Sequence, residues 1–407
     1  MMFAGLQIPY RRERWLVGLA DLASAPLKLE RWRHRDRIEA PRRILLLRLE
    51  RIGDLLMVLD AIATLRAALP DAEIDLAIGS WNRDLGALIP GIRRLEIVDV
   101  PWLARDRRGE SAAGLLRHAW RWRGEYDLVI NFEPDIRSNM LTRLTGAPRR
   151  IGYWTGGGGA FLTEAGTYDP TSHVADNAAQ LIAKALAPIR PRTGRPFTSV
   201  TGTIGPTRSG AALLQPDRDA YHRASRLLED ARGALIGVHV SGGRPSKQWH
   251  LDRFAAVAQA LAERHQATIV LTGSAGDRRL VDEVKENLSG IPVIDVAGAA
   301  DLPTLAALLS KLDVLVTGDT GPMHLAAAMG TPVVALFGPS DPRRYGPRGT
   351  GHRVIRIDLP CSPCGQVRLP PVRCRGHVPD CLHGIDIARV VDAASEVIEG
   401  VRSRSVP

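Results

Sequence analysis

The sequence predicts an α/β protein made of two doubly wound domains, each with a parallel sheet covered by helices on both faces. Short runs rich in Ile, Leu and Val alternate with segments of helical periodicity along most of the chain. The alternation is interrupted between 188 and 210, where Pro, Gly, Thr and Arg recur without periodicity, as in a linker. The length of 407 residues also exceeds what one compact domain usually holds.

Residues 1–40 are predicted to form a basic amphipathic extension. Seven arginines are interleaved there with apolar residues at roughly helical spacing, among them Trp15, Leu16, Leu19 and Leu22. Such a helix can lie on an anionic bilayer, because apolar burial and the attraction of arginine to headgroups add. It can equally pack on its own domain, and both alternatives stay open.

The first domain is predicted over 41–190. An apolar run at Ile44–Leu49 predicts its first strand, and the helical pattern at Leu55–Ala68 ends before Pro70. Later segments continue the alternation, with strands expected at 74–78, 96–100 and 126–132 and helices at 112–122 and 138–145.

A linker at 191–215 is followed by a second predicted domain at 216–385, and 386–407 is predicted as a C-terminal helix and tail. The strands of the second domain are expected at 235–240, 268–272, 293–295, 314–317 and 332–337. In doubly wound sheets the ligand lies beyond the carboxyl ends of the strands. We therefore expect an active site in a cleft between the domains.

Composition excludes several classes of protein. No run of about 18 apolar residues and no signal-peptide pattern occurs, so we expect a cytoplasmic protein without a membrane span. The net charge of +10 arises from arginine, since the chain has only five lysines. A basic surface suits nucleic acid, a membrane or a phosphorylated substrate, and charge alone does not choose among them. Neither a Walker phosphate loop nor a G-x-G-x-x-G turn after the first strand is present, which disfavours ATPases and dinucleotide dehydrogenases.

Asp54 is the candidate catalytic residue of the first domain. It follows the first strand in the segment R-L-E-R-I-G-D at 48–54 and opens the next helix. A carboxylate there either caps the helix by accepting bonds from its free amides or acts as general base for a hydroxyl nucleophile.

Three loops of the second domain are candidates for nucleotide binding. The segment G-D-T-G-P-M-H at 318–324 opens a helix, whose free amides and positive dipole end suit a phosphate. The loop after the strand at 235–240 supplies a hydroxyl and a lysine, which suit a diphosphate. Asp277 is placed either to accept ribose hydroxyls or to cap a helix. The candidate donor-binding residues are Ser241, Lys247, Asp277, Asp319, Thr320, Gly321 and His324.

At these loops the chain resembles the heptosyltransferases of glycosyltransferase family 9. The resemblance extends over roughly 42–385 and rests on R-I-G-D at 51–54, S-K-Q-W at 246–249, G-D-T-G-P-M-H at 318–324 and F-G-P-S-D-P at 337–342. A further similar segment, at 127–139, carries Glu133 near a position where family members usually have glutamine, which indicates a different acceptor preference.

The resemblance implies a GT-B architecture, with two facing Rossmann-like domains and an interdomain cleft. It also implies inverting transfer of a heptose from ADP-heptose to a lipopolysaccharide core or related glycan, without a catalytic metal. In that reaction Asp54 would deprotonate the acceptor hydroxyl, and Lys247, Asp319, Thr320, Gly321 and His324 would hold the donor diphosphate. Ser241 and Asp277 fall in matching loops. The implied location is cytoplasmic, peripheral at the inner membrane, with no nucleic acid as a partner.

All four cysteines lie within 21 residues, at Cys361, Cys364, Cys374 and Cys381. In a cytosolic protein this clustering favours metal binding over disulfides, and four thiolates suit zinc or iron equally. Free or oxidised thiols are the alternative. A structural or assembly role is expected for this segment, rather than catalysis.

Two alternatives to heptose transfer stay open at the level of sequence. One is a transferase of the same family that uses another nucleotide sugar or a protein acceptor. The other is a module without enzymatic activity that binds polyanions and assembles through its metal, which predicts no affinity for nucleotides.

Overall fold

The structure is a computed structural model and describes residues 5–8, 10–26, 40–104, 109–189 and 212–405, with side chains as far as 401. Contacts between Cα atoms divide the chain into two compact units, Met1–Gly205 and Pro206–Pro407, called unit 1 and unit 2 below. Most of the predicted linker and the second part of the predicted extension lie outside the described residues. Within the described residues, no helix is long and apolar enough to cross a membrane.

Unit 1 alternates strands and helices along the chain. Its strands are β1 (Arg43–Leu47), β2 (Glu73–Ile78), β3 (Arg94–Ile97), β4 (Leu128–Asn131), β5 (Arg149–Tyr153) and β6 (Glu164–Gly166). Its helices are α1 (Arg11–Ser24), α2 (Ile52–Leu56), α3 (Leu59–Ala68), α4 (Arg83–Ala87), α5 (Ala112–Trp122), α6 (Ile136–Leu144) and α7 (Val174–Leu186).

The unit 1 sheet has the order β3-β2-β1-β4-β5-β6, and all of its strand pairs are parallel. In β1, four consecutive residues from Ile44 to Leu47 are fully buried, as expected for a strand covered on both faces. Leu45 and Leu47 pack in one cluster with Trp122 of α5 and Leu141 of α6, so these two helices cover the same face.

Unit 2 repeats this plan. Its strands are β7 (Leu235–His239), β8 (Thr268–Thr272), β9 (Val293–Asp295), β10 (Val314–Gly318), β11 (Val333–Leu336) and β12 (Arg353–Ile355). Its helices are α8 (Arg218–Leu227), α9 (Leu251–His265), α10 (Arg278–Glu286), α11 (Leu302–Leu309), α12 (Gly321–Ala328), α13 (Pro342–Tyr345), α14 (Asp380–His383) and α15 (Ile387–Ser405).

In both sheets the order of the strands reverses at one place. The unit 2 order is β12-β11-β10-β7-β8-β9, so its first and fourth strands are neighbours, as β1 and β4 are in unit 1. This is the strand order of a Rossmann fold, in which ligands bind where the order reverses. The predicted parallel α/β sheets are therefore confirmed, and two switch points are defined, one beyond β1 and β4 and one beyond β7 and β10.

Several elements differ from the sequence prediction. The helix predicted at Leu55–Ala68 is two helices, α2 and α3, and β3 lies two residues before the predicted strand. Strands β5, β6 and β12 were missed. Strand β5 begins with two buried arginines, and Arg149 donates there to Glu164 of β6 at 2.8 Å and to the carbonyl of Ala185 at 3.1 Å. Because long-range partners neutralise this arginine, no local apolar pattern marks the strand.

The described part of the extension forms α1, which packs on unit 1. The amide of Gly158 donates to Oδ1 of Asp21 at 2.6 Å, and Gly18 is buried. Val17 lies against Gly157, where an added Cβ would come within 2.2 Å of its Cγ1. The helix is therefore fixed to the loop that follows β5.

Candidate functional site

The loop after β7 is held in place by three of the four residues of S-K-Q-W at 246–249. Ser246 donates to the carbonyl of Val367 at 2.9 Å. The Gln248 side chain accepts from the amide of Gly242 at 2.8 Å and donates to the carbonyl of Val240 at 2.7 Å. Trp249 is buried and stacks edge-on against Phe254, with ring centroids 4.9 Å apart. Three of the four residues thus fix the loop, which leaves Lys247 as the residue that projects a charge.

Lys247 and Asp319 form an ion pair at the unit 2 switch point. The Nζ atom of Lys247 lies 3.0 Å from Oδ2 of Asp319, and the two side chains are 18% and 11% exposed. Asp319 follows β10 directly, so the pair joins the loop after β7 to the loop after β10. The structure therefore brings together two of the predicted donor-binding residues, within reach of solvent.

Helix α12 begins two residues after Asp319. Thr320 is its N-cap residue, but within the described residues its side chain caps none of the first-turn amides. The Thr320 hydroxyl instead lies 3.4 Å from the carbonyl oxygen of Gly318 and 3.2 Å from the hydroxyl of Thr317. Gly321 occupies the first turn, and His324 is buried on the same helix. Since helix-start amides without a capping side chain need another acceptor, this end of α12 suits an anion.

Ser241 and Asp277 form a second group beside the switch point. Asp277 accepts from the amide and the hydroxyl of Ser274, at 2.9 and 2.6 Å, and so caps the short turn in which it lies. Burial alone would raise the pKa of Asp277, but hydrogen bonds from Ser274 and Ser241 outweigh it and lower that pKa. The capping alternative is therefore realised, and the predicted contact with ribose hydroxyls stays a prediction.

His239 ends β7 behind these residues. Burial lowers the pKa of His239 to about 4, and its Nδ1 atom lies 3.1 Å from the hydroxyl of Thr272. The imidazole is therefore neutral at physiological pH.

The unit 1 switch point contains a buried arginine among three carboxylates. Arg48, which follows β1, is 3% exposed. Its guanidinium lies 3.1 Å from Oε2 of Glu50 and 3.5 Å from Oδ1 of Asp54, and it donates to the carbonyl of Phe132 at 3.0 Å. The third carboxylate, Glu133, follows β4 and acts on Arg48 through its charge. Burial opposes the charge of Arg48, but these neighbours raise its pKa, so it stays protonated.

Two of these carboxylates are shifted toward their neutral forms. Burial raises the pKa of Glu50 to about 8, against the opposing effect of Arg48. Burial also raises the pKa of Glu133, although the carboxylate accepts bonds from the amide of Leu49 and from the hydroxyl of Ser138, the latter at 2.8 Å. A group that titrates near neutral pH at a switch point, as Glu50 does, is typical of functional sites.

Asp54 itself has two sets of partners. Its Oδ2 atom accepts from the amide of Arg51 at 3.3 Å and completes a capping box at the start of α2. Its Oδ1 atom faces Arg48, and the side chain is 31% exposed. The carboxylate is thus both a helix cap and an accessible group, so the geometry accommodates both roles considered from the sequence.

The four cysteines line one cavity in unit 2. Cys361, Cys364, Cys374 and Cys381 share this lining with Ser246 of the loop after β7, and all four thiols are free. Burial, followed by the neighbouring thiols, raises the pKa of Cys381 to about 11. As placed in the described residues, no three His, Cys, Asp or Glu side chains could hold a metal ion. The structure therefore brings the thiols together without forming a ligand set.

Sequence reasoning missed Arg48, Glu50 and Gln248 as contributors to these sites. Arg48 and Glu50 stand in the same segment as Asp54, but only the return of β4 beside β1 shows that they cluster with Glu133. Gln248 had a local signal in its position beside Lys247, although its role depends on folding back to Gly242.

Comparison with known proteins places the chain in a family. The sequence model of the family described as glycosyltransferase family 9 (heptosyltransferase) matches residues 116–369, which is more than half of the chain. The chain belongs to glycosyltransferase family 9. It is therefore a glycosyltransferase, as the resemblance implied.

Individual relatives are similar over most of their length. The lipopolysaccharide core heptosyltransferase OpsX of Haemophilus influenzae is 24% identical over 327 residues, which cover 78% of this chain and 85% of that protein. A family 9 glycosyltransferase of Veillonella parvula superposes with a TM-score of 0.68 at 24% identity, covering 88% of this chain and 97% of that one. The Escherichia coli ADP-heptose lipopolysaccharide heptosyltransferase II gives a TM-score of 0.68 at 21% identity, covering 88% and 99%. These structures confirm the predicted fold class.

Proposed function

We propose that this family 9 enzyme transfers a heptose from ADP-heptose to a lipopolysaccharide core or a related glycan. The proposal is supported by what the similar proteins are named for, namely lipopolysaccharide core heptose transfer and ADP-heptose. The observation that carries it is the Lys247–Asp319 pair at the head of α12, where a lysine and helix-start amides converge at the unit 2 switch point. A diphosphate suits that arrangement because both features attract negative charge.

In the proposed reaction, the acceptor hydroxyl attacks the anomeric carbon, and the bond from that carbon to the diphosphate breaks with inversion. Asp54 takes the hydroxyl proton, and the ADP leaving group gains charge that Lys247 and the first-turn amides of α12 stabilise. Loss of one such donor costs on the order of 3 kcal/mol of transition-state stabilisation, or about a hundredfold in turnover. No metal is required in this scheme.

Nucleotide binding is tested by calorimetry with ADP. We expect Lys247→Ala to weaken ADP binding at least about tenfold, because it removes a partly buried cation from the diphosphate position. Lys285→Ala is the matched control, since Lys285 belongs to the same unit, is 52% exposed and pairs with Asp295. The assignment of the donor site to unit 2 would be refuted if the wild-type protein did not bind ADP, or if Lys247→Ala and Lys285→Ala bound ADP equally well.

The role of Asp54 is tested by Asp54→Asn, which separates its two functions. The amide oxygen can still accept from the Arg51 amide and keep the helix cap, but it cannot take a proton. We expect turnover to fall by about 10²–10⁴-fold while thermal unfolding changes little, as is typical for loss of a general base. Turnover close to wild type would leave Asp54 as a cap alone.

Substrate and stereochemistry need direct measurement. Mass spectrometry of products from a panel of nucleotide sugars identifies the donor, and NMR of the product gives the anomeric configuration. Exclusive use of another nucleotide sugar, transfer to protein, or retention of configuration would each contradict the corresponding part of the proposal.

We also propose that the four cysteines hold a structural zinc or iron ion. Their convergence on one cavity supports the proposal, and the Ser246–Val367 bond ties this segment to the loop of Lys247. Metal analysis is expected to find about one ion per chain in the wild type and a loss on Cys364→Ser. Metal-free protein with four titratable thiols would refute it.

A further inference from the structure

Two carboxyl groups share one guanidinium at the unit 1 switch point. Oε2 of Glu50 lies 3.1 Å from Nη1 of Arg48, and Oδ1 of Asp54 lies 3.5 Å from Nη2 of the same side chain. The two nitrogen atoms are bonded to one carbon, so the carboxyl groups stand side by side. Both are accessible, since 36% of the Glu50 side chain and 31% of the Asp54 side chain are exposed.

The main chain of Glu50 is fixed by the segment that follows β2. Its carbonyl oxygen accepts from Nε1 of Trp81 at 2.8 Å and from Nδ2 of Asn82 at 2.7 Å, and Asn82 is fully buried. In the described part of the chain, the carboxyl group of Glu50 has Arg48 as its only ion-pair partner. The main-chain bonds therefore set the position of the carboxyl group and leave it accessible to a ligand.

Hydrogen bonding distinguishes the two carboxyl groups. Asp54 accepts from the amide of Arg51 at 3.3 Å, a bond that suits an ionised carboxylate. Among the described residues, no amide or hydroxyl group donates to the carboxyl group of Glu50. The neighbouring guanidinium of Arg51 donates to the carbonyl of Leu103 at 2.6 Å. Glu50 thus lacks the support that Asp54 has for a negative charge.

The charges that face Glu50 act in the same direction. Apart from the cation of Arg48, they are the carboxyl groups of Asp54 in α2 and of Glu133 and Asp135 after β4. Burial, followed by these like charges, raises the pKa of Glu50 to about 8 against the effect of Arg48. Near pH 7 most of Glu50 is therefore the neutral acid.

Neighbouring carboxyl groups that differ in protonation suit opposite roles. We propose that Glu50 is a second catalytic residue, whose neutral carboxyl group donates a hydrogen bond to an oxygen atom of the acceptor beside the hydroxyl that Asp54 deprotonates. Glu50 keeps its proton throughout, and the proton of the attacking hydroxyl ends on Asp54. The donated bond orients the acceptor for attack. The inference rests on the proposed function and adds an acceptor-binding group to it.

The test compares two replacements of Glu50 in the full chain, with ADP-heptose as donor and heptose-deficient lipopolysaccharide as acceptor. Glu50→Ala removes the hydrogen-bond donor and should lower kcat/KM for the acceptor about tenfold. Glu50→Gln keeps a donor in nearly the same place and should recover most of that loss. Glu125→Gln is the matched control. Glu125 is 37% exposed and also pairs with an arginine, Arg94 at 2.9 Å, but it precedes β4 at the amino ends of the strands.

The pH dependence separates a neutral acid from a charged or purely structural group. In the wild type, kcat/KM should fall as the pH rises through about 8, because ionised Glu50 no longer donates. Glu50→Gln should lack this decline, since an amide does not titrate. Infrared titration of the protein without substrates measures the same ionisation. The wild type should lose a protonated-carboxyl band as the pH rises through about 8, and Glu50→Gln should lack that band.

Three outcomes would overturn the inference while leaving heptose transfer in place. They are a Glu50→Gln variant as impaired as Glu50→Ala, a Glu50→Ala variant with wild-type kcat/KM, and an alkaline decline that persists in Glu50→Gln. Circular dichroism spectra that match the wild type show that a loss of turnover is not a loss of fold. If the wild type itself does not transfer heptose to this acceptor, the proposed function and the inference fail together, so the two kinds of failure are distinguishable.

Discussion

Replacing Arg48 tests whether the unit 1 switch point depends on one buried cation. Arg48→Met keeps much of the volume of the side chain and removes its charge, so Asp54 and Glu133 lose the positive group between them. Removing one partner of a buried ion pair typically costs 3–5 kcal/mol, because the remaining charge is left without compensation. We expect a loss of about 3–5 kcal/mol in the unfolding free energy of unit 1 near pH 8.

The loss should depend on pH in a defined direction. Glu50 and Glu133 already have raised pKa values, and without Arg48 they are raised further, so protonation relieves the cost as the pH falls. The penalty is therefore expected to be smaller near pH 5 than near pH 8, where more of the carboxylates are ionised.

Urea unfolding followed by tryptophan fluorescence measures this effect, because seven of the eight tryptophans precede residue 205. Arg43→Met is the matched control at the other end of β1. The Arg43 side chain is 51% exposed, and its Nε atom makes a long ion pair of 3.9 Å with Oε2 of Glu73. That control is expected to cost less than about 1 kcal/mol. An Arg48→Met penalty below about 1 kcal/mol at pH 8, or one that is equal at both pH values, would refute the reasoning.

Three further predictions concern single residues. The folded-state pKa of Glu50 lies above its unfolded value, so its contribution to stability is full below about pH 4.5 and is lost as the pH rises through about 8. Glu50→Gln should therefore remove this pH dependence from the urea midpoints measured between about pH 4.5 and 8. The pKa of His239 is lowered to about 4, so unit 2 should lose up to about 3 kcal/mol as the pH falls from 6.5 to 4, and His239→Gln should flatten that part of the profile. If the pH dependence of stability is unchanged in either variant, the pKa shift assigned to that residue is contradicted. Gly156→Ala would place Cβ 1.8 Å from the carbonyl oxygen of Pro134 and should lower the unfolding free energy by about 1–3 kcal/mol. The control Gly400→Ala, on α15 with open space around the added Cβ, should be neutral or stabilising. Equal melting temperatures of the two variants would show that the loop after β5 can move aside.

The sequence alone determined the fold class and the positions of the main loops. Alternating apolar runs and helical periodicity are local properties, so the strands around the switch points were predicted to within a few residues. The motif at 318–324 likewise predicted that a helix begins there, because a capping residue at Asp319 or Thr320 and Pro322 in the first turn act within one turn. The resemblance at these segments then implied the family to which the chain belongs.

The tertiary structure decided which of these residues act together. Arg48 meets Glu133 because β4 returns beside β1, and Lys247 meets Asp319 because β10 lies beside β7. Strand β5 was not found from the sequence, since the charge of its Arg149 is neutralised by Glu164 of another strand. Periodicity reports how a segment folds on itself, whereas the pairing of charges depends on contacts between segments that only the completed sheets bring together.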